Sequence, residues 1–179
     1  MAAVDAWVRE REELLSARMS RAKRIKAAGS LDAAIRNGDV QDSINTTVSE
    51  VLILGLLLQG VKKFIVVFGH GSTEIGEVLR VYQDAGLCRI FGVRSEVEAS
   101  HTAAALNWIC GEKAAVVTSI GPGALHALSA SLVPASDGLG VWYLLGDETT
   151  EDEGYNMQQI PRPLQNAYLK LFSNMGEAY

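Results

Sequence analysis

The chain has 179 residues, enough for one domain with a sizeable core, and 48% of them are hydrophobic against 21% charged. Its net charge of −5 gives no reason to expect a nucleic-acid partner. Its start lacks the apolar core of a signal peptide, and its longest apolar run, VLILGLLLQGV, is too short to span a bilayer. A soluble cytoplasmic protein with no membrane partner is expected. Cys88 and Cys110 have no metal-ligand spacing and sit in apolar stretches, so both read as reduced core thiols.

Residues 1–45 form a distinct region. WVREREELLSARMSRAKRIKAA is charged and helix-favouring, with Arg18, Arg21, Lys23, Arg24 and Lys26 close together. Val8, Leu14, Leu15, Met19 and Ile25 give it only a thin apolar stripe. It reads either as a solvated helical arm or as an arm that lies on a partner subunit. GSLDAAIRNGDVQDS follows as a short helix between turns.

From Thr46 the pattern is regular. TTVSEVLILGLLLQG is a helix with a threonine cap and a closing glycine, and KKFIVVFG a buried strand. STEIGEVLRVYQDAG is a helix, CRIFGV a strand, and RSEVEASHTAAALNWIC a helix. AAVVTSI is a strand, GALHALSASLVPAS a helix and GVWYLLG a strand. Such alternation predicts an α/β fold, a three-layer αβα domain with a mainly parallel sheet. Ligands of such folds bind outside the carboxyl ends of the strands. That rule singles out FGHGSTE, RSE and SIGPGALH.

His70, His101 and His126 fall at or near these turns. His70 stands between glycines whose backbone can approach a ligand closely. Gly121-Pro122-Gly123 opens a helix and turns its amides to the same edge. With no P-loop lysine and no G-x-G-x-x-G spacing, a nucleotide phosphate site is not expected.

From Arg94 to Asp147 the sequence resembles the pyrimidine-binding (Pyr) domain of thiamine-diphosphate enzymes, the family of acetolactate synthase and benzoylformate decarboxylase. Glu96 opening an alanine-rich helix, then Gly111, Thr118-Ser119 and Gly121-Pro122-Gly123, match the family pattern in order. The resemblance spans roughly residues 46–165, which makes 46–179 the Pyr domain. Within the family it leans to the trihydroxycyclohexanedione hydrolase branch, through the FGHG turn, the Ser-x-GPG loop, Gly146-Asp147 and the pair Gln158-Gln159.

The resemblance implies thiamine diphosphate as cofactor and a small carbonyl compound as substrate. It makes Glu96 the acid that hydrogen-bonds the cofactor's pyrimidine nitrogen and so promotes loss of the proton from the reactive carbon. Burial under the cofactor would keep such an acid effective. His70 and Gln159 are then catalytic candidates facing the substrate. Gly69, Gly71, Ser72, Gly121, Pro122, Gly123 and His126 are cofactor-binding candidates. Glu98 does not fit the spacing and reads as structural or solvent-facing. Ser95 before the acid and His126 after GPG depart from the common pattern, which bears on substrate choice.

The chain has no GDG motif, through which the family's separate PP domain holds Mg²⁺ and the diphosphate. The cluster Glu148, Glu151, Asp152, Glu153 has no cation-cage spacing and reads as a solvated loop. A PP-domain subunit is therefore expected to complete the site in a heteromer, with a heterotetramer as the expected form; a fragment of a longer chain is the other explanation. Cyclic-diketone hydrolysis, decarboxylation of a 2-oxo acid and carboligation all remain open. So does a non-catalytic Pyr-like scaffold.

Overall fold

The computed structural model describes residues 2–147 and Ser173. The elements run α1 (Ala2–Ala28), α2 (Leu31–Arg36), α3 (Val48–Leu58), β1 (Lys63–Val67), α4 (Thr73–Asp84), β2 (Arg89–Gly92), α5 (Glu96–Cys110), β3 (Ala114–Thr118), α6 (Pro122–Asp137) and β4 (Val141–Leu145). Every helix and strand expected from the sequence is present. Contacts divide the chain into two compact units, one of residues 1–62 and 77–89, the other of 63–76 and the chain from Ile90 on.

The first unit is helical. Ser30 caps α2 and Thr47 caps α3, each side-chain oxygen accepting a backbone N–H of the first turn. The basic arm is more than a solvated surface, because Arg18 and Arg21 are buried together with Ala22 and Ile25. Their charge is met by Glu50 of α3. Arg18 Nε donates to Glu50 Oε2 at 3.1 Å, Arg21 donates to Oε1, and Tyr82 Oη donates to Oε1 at 2.7 Å. Thr46 Oγ1 adds another donor to Oε2. Burial by itself would raise the Glu50 pKa, but the hydrogen bonds from Thr46, Tyr82 and Arg21 outweigh it and hold the group below its ordinary value. The Tyr82 hydroxyl is pushed up, by burial first and by the neighbouring carboxylate second.

The second unit holds the sheet, in the order β2-β1-β3-β4. β1 pairs with β3 in parallel, Lys63 opposite Ala114 through Val67 opposite Thr118, and β3 pairs with β4 in parallel, Ala114 opposite Val141 through Thr118 opposite Leu145. The central strand β3 is buried at every position, as its unbroken apolar run requires. The edge strands β2 and β4 are only partly buried. Ile65, Ala114 and Val116 form a core with Ala99 and Ala103 of α5. Small residues let the neighbouring helices approach closely, and Ser100 Oγ of α5 donates to the Ala127 carbonyl of α6 at 3.3 Å.

One cysteine departs from expectation. Cys88 is buried and its thiol is pushed up to about 12 by that burial. Cys110 is exposed, because the last turn of α5 turns away from the core and Trp108 and Ile109 beside it are exposed as well. No helix among the described residues is long and apolar enough to cross a membrane.

Candidate functional site

The strand order picks one place among the strand ends. From β1 the chain goes to β2 on one side, then crosses back to β3 on the other side of β1. The switch point therefore lies between the carboxyl ends of β1 and β3, where ligands of such sheets bind. The turn after β1 carries Gly69, His70, Gly71 and Ser72; the turn after β3 carries Ser119 to Gly123.

These two turns interlock. Ile120 N–H donates to the His70 carbonyl at 3.1 Å, and Ser119 Oγ donates to the same carbonyl at 3.4 Å. The Gly146 N–H after β4 donates to the Thr118 carbonyl at 3.2 Å. The glycines are required by proximity. A Cβ on Gly69 would lie 2.6 Å from Ser119 Oγ, and one on Gly71, at φ +77°, would collide with Ile120 Cγ2 and lie 2.7 Å from the Asp147 carbonyl oxygen. Ser72 is buried, and its hydroxyl closes the turn by accepting from Gly69 N–H at 3.2 Å and donating to the Gly69 carbonyl at 3.1 Å. The ring of His70 is on an exposed residue of this turn.

Ser95 caps α5 by accepting from Glu98 N–H at 3.2 Å, and Glu98 returns the bond by accepting from Arg94 N–H at 3.0 Å. Glu98 thus ties the residue before the cap to the first turn, which gives it a structural task on the exposed side. Gly111, at φ +66°, ends the helix, and its N–H donates to the Asn107 carbonyl. Glu96, the first residue of α5, points the other way and is only 8% exposed.

Glu96 faces the start of α6. Its Oε2 lies 3.2 Å from Nδ1 of His126, whose side chain is 65% exposed. Its Oε1 makes no hydrogen bond among the described residues and lies against bare backbone. A Cβ on Gly123 would come within 3.2 Å of Oε1 and 3.3 Å of Ser119 Cβ. Gly121, at φ +52°, begins the helix without a side-chain cap, and Pro122 occupies the first helical position. Glu96, His126, Ser119 and the Gly121–Gly123 backbone thus stand together after β3, at the switch point. His101, by contrast, is exposed on α5.

Gln158, Gln159 and the acidic cluster Glu148, Glu151, Asp152 and Glu153 lie outside the described residues. Ser119 was legible only as part of a motif. Its contact with Gly69 and the His70 carbonyl depends on the pairing of β1 with β3, which no local pattern reveals.

A parallel sheet with a topological switch point, and a buried carboxylate set against glycine backbone beside it, point to an α/β domain with a ligand site at that edge. A family model described as thiamine pyrophosphate enzyme, N-terminal TPP binding domain, matches residues 46–167, and the chain belongs to that family. A comparison with curated proteins finds no match.

The residues present fit the pyrimidine end of this cofactor. Glu96 offers a carboxyl oxygen with no competing donor among the described residues, next to the Gly123 backbone. Glu96, Gly121, Pro122 and Gly123 are the residues that would hold it, with His126 on the second carboxyl oxygen.

Proposed function

We propose that this chain supplies the Pyr half of a thiamine-diphosphate site in a heteromeric enzyme that makes or breaks a carbon–carbon bond next to a carbonyl. The observation that carries the reading is the state of Glu96, a nearly buried carboxyl group with one oxygen held by His126 and the other, against Gly123, without a partner among the described residues. When bound, thiamine diphosphate supplies an acidic carbon that becomes the nucleophile towards a carbonyl substrate.

In this reading Glu96 holds a proton at Oε1 towards the pyrimidine nitrogen. His126 fixes the carboxyl plane through Oε2, so that Oε1 keeps its aim. Gly121, Pro122 and Gly123 would line the ring, and Gly123 keeps Oε1 clear, because a Cβ there would come within 3.2 Å of it. His70 and Gln159 are the candidate proton carriers or hydrogen-bond partners of the substrate. Gly69, Gly71 and Ser72 shape the first turn of the cleft.

The GDG motif that holds Mg²⁺ and the diphosphate is not within these residues. We assign it to a PP domain outside these residues, on a partner subunit in a cytoplasmic heterotetramer with two cofactors or, in the other explanation, elsewhere in a longer chain. The FGHG turn favours chemistry like that of the cyclic-diketone hydrolases. A split 2-oxo acid decarboxylase or an acetolactate-synthase-like carboligase is the alternative, and product analysis separates them: ring opening by water, release of CO₂, or a longer carbon chain. A non-catalytic scaffold is disfavoured, since a scaffold has no use for a buried acid with an open oxygen.

The test is co-expression with a GDG-bearing PP-domain protein from the neighbouring reading frame, followed by titration with thiamine diphosphate and Mg²⁺. The pair is expected to bind the cofactor with a saturable signal that the isolated chain lacks. A co-purifying pair that binds none would contradict the reading.

A further inference from the structure

The inward face of α1 is committed to its own unit through Arg18, Arg21, Ala22 and Ile25. Its outward face is open and carries an ordered set of residues. Val8, Leu15 and Met19 are exposed there, and Glu12, Leu15, Ser16, Met19, Ser20 and Lys23 line a hollow on the helix surface. These positions recur at helical spacing, so they form one continuous stripe.

The stripe is symmetric about its own midpoint, which lies between Ala17 and Arg18. Reversing the helix about that point brings Glu12 onto Lys23, Leu15 onto Ser20, and Ser16 onto Met19. Each large apolar side chain meets a small one, and the acid meets a base. One step further out, exposed Val8 falls on exposed Ala27. The charges of the whole helix follow the same plan. Between Asp5 and Glu13 the acids Asp5, Glu10, Glu12 and Glu13 outnumber Arg9 and Arg11, whereas Lys23, Arg24 and Lys26 are exposed near the other end without an acid among them. Arg9 and Lys26 would fall opposite each other as like charges, and so would Arg11 and Arg24. Arg9 Nε already donates to the Asp5 carbonyl at 3.2 Å, Lys26 Nζ to the Gly86 carbonyl at 3.1 Å and Arg11 Nη2 to Glu77 Oε2 at 2.9 Å.

We propose that α1 docks antiparallel on the α1 of a second copy of this chain, across a two-fold axis at the Ala17–Arg18 midpoint. A two-fold interface must be self-complementary, and this face is. Leu15 and Met19 fill the spaces over Ser20 and Ser16 of the other copy, and two Glu12–Lys23 pairs flank them. From Val8 to Ala27 the contact runs for roughly 28 Å of helix. The assignment is independent of the cofactor and of any PP-domain partner.

The test is sedimentation equilibrium of the full chain alone over a wide concentration range, at low and high salt. A reversible dimer is expected, weaker at high salt. Glu12→Lys or Lys23→Glu should each raise the dissociation constant by about tenfold, because two attractive pairs become two repulsive ones. The double variant E12K/K23E restores every pair with the signs exchanged, so it should return to the parent value. Leu15→Asp should leave only monomer, with an unchanged helical circular-dichroism spectrum. A chain that is monomeric at every concentration, a dimer indifferent to these variants, or a charge swap that fails to recover would each overturn the proposal.

Discussion

Glu50 and Glu96 are the two buried acids among the described residues, and their surroundings are opposite. Glu50 is saturated. Arg18, Arg21, Thr46 and Tyr82 all donate to its two oxygens, and together they hold it ionised. Glu96 has a single partner among the described residues, an exposed histidine on Oε2. Burial alone therefore does not mark a functional acid. A structural carboxylate is surrounded by donors because an unmatched buried charge is costly, whereas a carboxyl group meant for a ligand must keep an oxygen open.

The contrast can be broken by mutation. Glu50→Ala strands two buried guanidinium groups and should cost about 3–5 kcal/mol in urea unfolding. Glu96→Ala strands nothing comparable and should change stability by less than about 1 kcal/mol. Equal losses at the two sites would erase the distinction. Gly69→Ala tests the interlocked turns. Its Cβ would stand 2.6 Å from Ser119 Oγ and 2.7 Å from Ser119 Cβ, so a loss of about 1–3 kcal/mol is expected, visible as a lower midpoint at unchanged slope.

Acid titration sharpens the same contrast. Glu50 has a folded-state pKa below its unfolded one, so it contributes stability above the ordinary glutamate range, about 4.3. That contribution is lost as pH falls through the depressed folded value. The parent chain should lose stability more steeply over this acid range than Glu50→Gln does, and parallel curves would refute the assignment. The smallest effect concerns the thiols. Exposed Cys110 should react with a thiol reagent in the native state without change in melting temperature, whereas Cys88, buried and pushed up to about 12, should react only on unfolding.

The order of elements was legible in the sequence because each carries its own signal: alternation of strand and helix, Thr47 and Ser95 at helix starts, and Gly111 at a stop. Glu96 was singled out through its motif and Glu98 was read as structural or solvent-facing, but the bond of Glu98 to the Arg94 N–H needed the geometry. The burial of Arg18 and Arg21 was hidden. They occupy the inward stripe of α1 with Ala22 and Ile25, but they look like surface charge until Glu50, a partner 32 residues from Arg18, is placed. Strand order was hidden too, because parallel pairing is set by tertiary contacts. The switch point between β1 and β3, and with it the meeting of Gly69 with Ser119, could not be read from either turn.

The central claim is that Glu96 is the cofactor's proton partner, and cofactor activation tests it without knowledge of the substrate. In the complex loaded with thiamine diphosphate and Mg²⁺, exchange of the cofactor's reactive carbon-bound proton for deuterium can be followed by rapid quench and NMR. Glu96→Gln should slow that exchange by about 100-fold or more while Glu98→Gln leaves it unchanged. Parent-rate exchange in Glu96→Gln would contradict the account.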